Sequence, residues 1–448
     1  MGESRREFLR NTLPRLLSLM LCGTGHASEK NNLSVENPSC TLYRVISGSP
    51  SANMIQLIEM MGGIESIISP DDIVLIKPNA QWWNQGSPNL CALKTFIDLI
   101  MNRPGGFHGE VIIGENCHRG PQPWMSQNSG WAHVFVRNAD IDSIHNLNDL
   151  TSHLKKMYGN RFSGVHFINV QAGARRVCGP SEGAGYVYCD GTEGVPLLQY
   201  DNGAAGSAFR QVIMTYPIFT TDRGTTVDFK HGIWAKGAYT GQPLKFINFA
   251  ALNHHSIYCG VTSAIKNYLG ITDLSGGPDP ENMGKIISRY YNFHSFPFNK
   301  WSSGPVPGML GGEIGTFMNT VRKADMNITT AQWTGLASRT DLPAAHTKAV
   351  IACSDPVALD YHTSKYILYP NSRIAVHNPD NTAGPFCHEL KKCADITGYQ
   401  VDERRVNVKS YDCNHHILAE NSDLKIIGSI KWGTDFEAIL KYLYLRIA

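Results

Sequence analysis

Short apolar runs alternate with longer amphipathic ones over most of the chain. Asp72–Asn79, DIVLIKPN, is apolar up to Pro78, the pattern of a strand buried on both faces. Leu90–Asn102 places Leu93, Phe96, Ile97 and Ile100 on one helical face. Gly109–Asn116 and Leu244–His255 read as two further strands, and so do Met326–Trp333 and Thr347–Ser354. A helix is predicted from near Gly260 to Gly270, with Val261, Ile265 and Leu269 on its apolar face. Asp355-Pro356 opens another, because Asp caps a helix and Pro suits its first turn. The end of the chain adds a strand in LKIIGSIKW and a helix in DFEAILKYLYLRI. This alternation predicts an α/β fold with a doubly wound, mostly parallel sheet, built from 41–117 and 244–448. Residues 118–243 break the rhythm and predict a large β-rich insertion. Within it a hairpin turns at Asp222-Arg223-Gly224.

Composition supports a packed core: 42% of the 448 residues are hydrophobic and 17% charged. The net charge of +2 comes without a basic run long enough to follow a phosphate backbone, which argues against nucleic acid as a partner.

The N-terminus adds a compartment. SRREFLR, Ser4 to Arg10, resembles the twin-arginine export motif, with Arg5-Arg6 as the pair and Phe8-Leu9 following. A modest apolar stretch and the small residues Gly25 and Ala27 complete the pattern of a signal peptide over 1–27, followed by a polar linker over 28–40. The apolar stretch is broken by Pro14 and Arg15 and is too short to cross a bilayer, so no stable membrane anchor is expected. The expected partners are the twin-arginine export machinery and a small molecule, and the expected location is periplasmic or extracellular. That route carries folded proteins, often with a cofactor already loaded, so a metal or organic cofactor is compatible with the sequence. The eleven cysteines contain no C-x-x-C pair, which excludes the common iron–sulphur and zinc-ribbon spacings. Cys178 with Cys189, or Cys387 with Cys393, are the expected disulfide candidates; a buried thiol is the alternative for Cys91, Cys259 and Cys353.

Ligands of open α/β sheets bind outside the carboxyl ends of the strands. Those ends deliver Lys77 and Asn79, then Glu115 and Asn116 with His118 beyond, then Asn253, His254 and His255, then Asp355. Turn chemistry is the other explanation for Asn79, Asn116 and Asp355. It does not account for Lys77 in an apolar run. Only one of the adjacent His254 and His255 can face a site, where it would act as acid, base or metal ligand. Lys266, one turn into a helix beside Thr262 and Ser263, suits an anion. The other reading of Lys266 is an amphipathic side chain reaching solvent. Asp360 falls on the buried side of its helix and needs a partner, for which Lys266 or Lys77 is expected. Such a pair is either structural or half of an acid–base set. Trp82-Trp83 offers a stacking platform or simple aromatic packing.

VLIKPN, AALNHHSIYCGVTSAIKNYLG and IACSDPVALD resemble blocks of the bacterial and archaeal domain-of-unknown-function family numbered three-six-two. The resemblance spans about 70 to 370 and implies that Lys77, His255, Lys266, Asn267, Asp355 and Asp360 match its recurring positions. It implies no reaction. Taken together, the expected catalytic residues are His255, Glu115 and Asp360. The expected ligand-binding residues are Lys77, Asn79, Asn116, Lys266, Asn267 and Asp355, with His255 as the candidate metal ligand. The expected function is an enzyme or cofactor-bearing protein holding a small anionic or polar ligand. A non-catalytic ligand-binding or assembly protein is the alternative.

Overall fold

The computed structural model describes residues 38–116, 131–132, 137–167, 175–203, 211–273, 285–287, 290–291, 308–420 and 423–447. The expected signal peptide, most of the linker and His118 lie outside these residues.

The chain builds an α/β fold around one sheet of eleven strands. These are β1 (Cys40–Ile46), β2 (Ile73–Pro78), β3 (Glu110–Glu115), β4 (Phe162–His166), β5 (Leu244–His254), β6 (Val261–Thr262), β7 (Met326–Gly335), β8 (Ala344–Cys353), β9 (Val406–Asp412), β10 (Ile417–Glu420) and β11 (Ser429–Lys431). Their spatial order is β10-β9-β1-β8-β7-β5-β2-β3-β4, with β6 added to β5 and β11 to β8. The run β7-β5-β2-β3-β4 is parallel throughout, while β8 pairs antiparallel with both β7 and β1.

Helices cover both faces, as doubly wound strands require. One face buries Val74, Ile76, Val111, Ile113, Ile247 and Phe249. It packs on α1 (Pro50–Met60), α2 (Leu90–Met101) and α3 (Leu147–Tyr158). In α2 the predicted stripe Leu93, Phe96, Ile97 and Ile100 is fully buried, and the Asn89 side chain caps it by accepting from Ala92 N at 3.0 Å. The opposite face buries Leu75, Ile112 and Phe246 against α5 (Met309–Thr320), α6 (Pro356–Thr363) and α7 (Pro385–Thr397). Strand alternation sends Ile73, Leu75 and Lys77 to this second face. A last helix, α8 (Phe436–Ile447), follows β11.

The segment between β3 and β5 divides differently from the expected insertion of 118–243. Leu147, Leu150 and Leu154 recur at helical spacing in α3, which carries the chain across to β4 as a parallel neighbour of β3. The β-rich part begins after β4. Gly185–Tyr188, Thr215–Thr220, Thr226–Asp228, Gly232–Ala235 and Ala238–Tyr239 form an antiparallel sheet, including the predicted hairpin around Asp222-Arg223-Gly224. Its Tyr186, Phe219 and Phe229 join the core of the second face. Among the described residues no helix is long and apolar enough to cross a membrane.

Candidate functional site

Lys77 reaches the carboxyl end of β2 inside the protein, at 1% exposure. A lysine can be buried there only if its charge and its donors are met. Its Nζ lies 2.5 Å from the Glu115 carboxylate and donates to Asn267 Oδ1 at 2.6 Å and Pro78 O at 3.0 Å. Three acceptors around one ammonium use all three N–H bonds. Lys77 therefore offers a ligand charge rather than a hydrogen bond. Glu115, also 1% exposed, accepts from the Ala80 backbone as well. Burial nevertheless outweighs the Lys77 attraction and pushes the Glu115 carboxyl up to about 8. Gly270 closes over this pair. A Cβ there would run into Glu115 Oε1 and Lys77 Nζ, so the close approach needs glycine.

Behind Lys77 a row of amides crosses the sheet. Lys77, Asn248, Asn327 and Cys353 are register partners on β2, β5, β7 and β8. Asn267 Nδ2 donates to Asn248 Oδ1 at 2.7 Å, and Asn248 Nδ2 donates to Asn327 Oδ1 at 2.9 Å. Asn327 Nδ2 ends the chain on the Cys353 and Ser354 carbonyls, at 3.2 and 3.1 Å. Every amide oxygen faces a donor and every amide nitrogen an acceptor. The row is therefore satisfied in one direction and fixes Asn267, and through it Lys77.

One cleft opens above this floor. Lys77, Asn79, Glu115, Asn116, His255, Lys266 and Asn267 all line it, joined by Gln81, Trp82, Thr262 and Arg339. The two histidines separate as strand alternation demands. His255 faces the cleft, while His254 Nδ1 contacts His377 Nε2 at 2.8 Å on the other side. Thr262 Oγ1 lies 3.0 Å and Arg339 3.3 Å from His255 Nδ1. Arginine can only donate, so Nδ1 is an acceptor and the ring proton sits on Nε2. Arg339 also lies over the Trp82 ring at 4.1 Å, which makes Trp82 one wall of the cleft. Lys266 enters from beneath, at 8% exposure. Glu313 of α5 and Glu389 of α7 are within its electrostatic reach on the far side. Burial pushes Glu389 up to about 8 and Glu313 well above its ordinary range.

Two expected site residues have other work. Asp355 caps α6, accepting from Val357 N and Ala358 N, and also holds Gln400 N at 2.8 Å. Its turn chemistry explains it fully, and it does not line the cleft. Asp360 pairs with neither Lys266 nor Lys77. Its carboxylate accepts from the Ala264 and Ile265 backbones at 2.7 and 2.9 Å. It thereby anchors the turn that presents Lys266 and Asn267 to the cleft. The predicted helix from Gly260 also differs. Gly260 has φ +73° and turns the chain back, so Val261 and Thr262 pair with β5 as β6. Only Ala264–Asn267 is α-helical, labelled α4 (this short helix precedes α5 in the chain), with a 3₁₀ turn at Tyr268–Gly270. Lys266 still reaches the cleft, by a hairpin and one turn instead of a helix face. Asn116 lines the cleft while its side chain donates to Thr272 O, tying β3 to that turn.

Among the described residues no group of three or more His, Cys, Asp or Glu side chains is arranged for a metal ion. Arg339 beside His255 also opposes a cation there. Asn248, Asn327, Arg339, Glu313 and Glu389 were not singled out by sequence. The available signal for the first two was a lone Asn inside an apolar strand. Comparison with known proteins adds nothing to the geometry: no family model, no curated protein and no solved structure matches the chain.

Proposed function

We propose that this cleft binds a small anionic ligand outside the carboxyl ends of β2, β3 and β5, and that Glu115 exchanges a proton there. One observation carries the reading: among the described residues, Lys77, Lys266 and Arg339 line a single cleft with one carboxylate, Glu115, which lies against Lys77. Near neutral pH the cleft then holds more positive than negative charge, which favours an anion. Glu115 can hold or give up a proton close to that pH, as an acid–base group must. His255 Nε2 supplies a donor and Trp82 a flat apolar wall. The reaction class is therefore proton transfer beside a bound anion.

Calorimetric titration of the purified protein with sulfate, inorganic phosphate and small carboxylates tests this. At least one anion should bind, and Lys266→Met and Arg339→Met should each weaken it roughly tenfold or more, the loss expected for a charged hydrogen-bond partner. Failure of the whole series to bind, or equal binding by both variants, refutes the proposal. One observation favours the non-catalytic assembly reading: the C-terminal segment exposes Ile427, Trp432, Phe436, Tyr444 and Ile447. A protein that binds no anion and assembles in solution supports that reading instead.

We also propose export by the twin-arginine route, on the strength of SRREFLR. Replacing Arg5 and Arg6 by Lys should leave the full-length protein in the cytoplasm on fractionation. Undiminished export of the double variant contradicts it.

A further inference from the structure

We infer that Gln85 is a positioning residue for Arg339: it holds the loop that keeps this guanidinium over Trp82 and beside His255. Its consequence for ligand binding rests on the anion site proposed above. Arg339 sits in the loop between β7 and β8. A long, flexible side chain stands at one place only if its backbone is fixed.

Gln85 lies against this loop, 0% exposed, in the 3₁₀ turn Asn84–Gly86. Its Nε2 donates to Asp341 O at 2.7 Å and to Ser338 O at 3.4 Å. Its Oε1 accepts from Arg137 Nε at 2.8 Å. Arginine can only donate, so the amide has one orientation, with its oxygen toward Arg137 and its nitrogen toward the loop. Thr340 O, between those two carbonyls in the chain, accepts from Asn84 Nδ2 at 2.9 Å and from Arg137 Nη2 at 2.5 Å. Three carbonyls flanking Arg339 are therefore held from outside the loop. Inside it, Ser338 Oγ accepts from Thr340 N and Asp341 N at 3.2 and 3.1 Å, which braces the loop as one piece.

The same stretch of chain supplies the other support. Trp82, just before the turn, takes the Arg339 guanidinium over its ring at 4.1 Å. Asn138 fixes the turn in its place, donating from Nδ2 to Asn84 O and Ser87 O at 3.2 and 2.9 Å. Backbone clamp and aromatic platform thus belong to one element, and together they set Arg339 against His255. Gln85 does not line the cleft, so it acts on a ligand only through Arg339. A glutamine that merely satisfies its buried neighbours would affect stability alone.

Gln85→Met keeps the length of the side chain and removes both its donor and its acceptor. Two readouts on fully folded variants test the role. Phenylglyoxal labelling of Arg339, read by mass spectrometry of the digest, reports the shelter of the guanidinium without any ligand. Gln85→Met should raise its rate several-fold over wild type. Calorimetry with sulfate reads the consequence. Gln85→Met should weaken binding several-fold, toward the level of Arg339→Met, and should cost nothing further when added to Arg339→Met. If Gln85→Met fails to fold, Asn84→Gly takes its place: it removes one donor to Thr340 O, and glycine suits the φ of +52° there. Unchanged labelling overturns the inference. So does wild-type sulfate affinity in Gln85→Met where Arg339→Met lowers it, or a loss just as large in the Arg339→Met background. A wild type that binds no sulfate, or an Arg339→Met protein that binds it normally, counts against the anion reading alone, and the labelling rate then decides the positioning.

Discussion

Replacing Lys77 by Met is expected to destabilise the protein, approaching the roughly 3–5 kcal/mol of a broken buried ion pair as pH rises and Glu115 ionises. Both members are 1% exposed and lie 2.5 Å apart, so solvent cannot take over the lost charge. The same change leaves Asn267 Oδ1 and Pro78 O without their donor. Glu115 can escape its stranded charge only by taking up a proton. Its carboxyl already stands near 8 with Lys77 present, and without that attraction it moves further up. The unfolded chain keeps Glu115 ionised throughout this range, so the penalty grows as pH rises. Lys77→Met should therefore melt further below the wild type at pH 8 than at pH 6. Adding Glu115→Gln removes the stranded acid and should recover part of the loss at both values. Thermal or urea melts at the two pH values decide the matter. A Lys77→Met protein as stable as wild type would mean that the pair contributes nothing.

The wild-type protein should lose stability steadily from about pH 6.5 to 8. Buried carboxyls stand above their unfolded values: Glu115 and Glu389 near 8, Asp360 near 7, Glu313 well above its ordinary range, and Asp355 raised as well. Burial is the main cause in each. Above pH 6.5 the unfolded chain has lost these protons while the folded protein keeps them. Folding then takes up protons, and stability falls with rising pH by about 1.4 kcal/mol per unit for each one held. Buried histidines act with the opposite sign. His254 is pushed down to about 3, and His362 and His377 lie well below their ordinary range. Below about pH 6.5 the unfolded chain protonates these rings and the folded protein does not, so their contribution falls toward acid. Between about pH 4.5 and 6.5 the two sets oppose each other, and above about 6.5 only the acids act. Glu115→Gln should flatten the alkaline side by one group. A melting temperature that is level or rising between pH 6.5 and 8 contradicts this assignment of buried acids.

The α/β class and the site's floor were legible for the same reason. Parallel strands buried on both faces read as apolar runs, and an ionisable residue that ends such a run stands out. Lys77, Glu115, His255 and Lys266 are of this kind, and the fold gathers them around one cleft. Contacts that depend on register between distant segments were not legible. Asn248 and Asn327 meet because β5 and β7 pair at those positions, and neither residue's neighbours in sequence announce it. Asp360 was recognised as buried, but helical spacing gives a face and not the group lying against it. That group proved to be two backbone N–H donors, not a lysine. The helix expected from Gly260 failed because its apolar spacing also suits a hairpin followed by a single turn. The left-handed backbone at Gly260 chooses between them. In the stretch after β3 the leucine spacing of α3 was present, but the surrounding Gly and aromatic residues concealed it.

The central claim is that the cationic cleft and the protonatable Glu115 serve one anion, and proton-linked calorimetry tests it most directly. Sulfate is fully ionised at pH 8, so any proton exchanged on its binding comes from the protein. Titrations at pH 8 in two buffers of different ionisation enthalpy give the number of protons taken up. With Glu115 near its midpoint, a bound anion should favour the protonated carboxyl. The account predicts net uptake of a fraction of a proton in the wild type and its loss in Glu115→Gln, with sulfate still bound. Proton-neutral binding in the wild type, or equal uptake in Glu115→Gln, would contradict it.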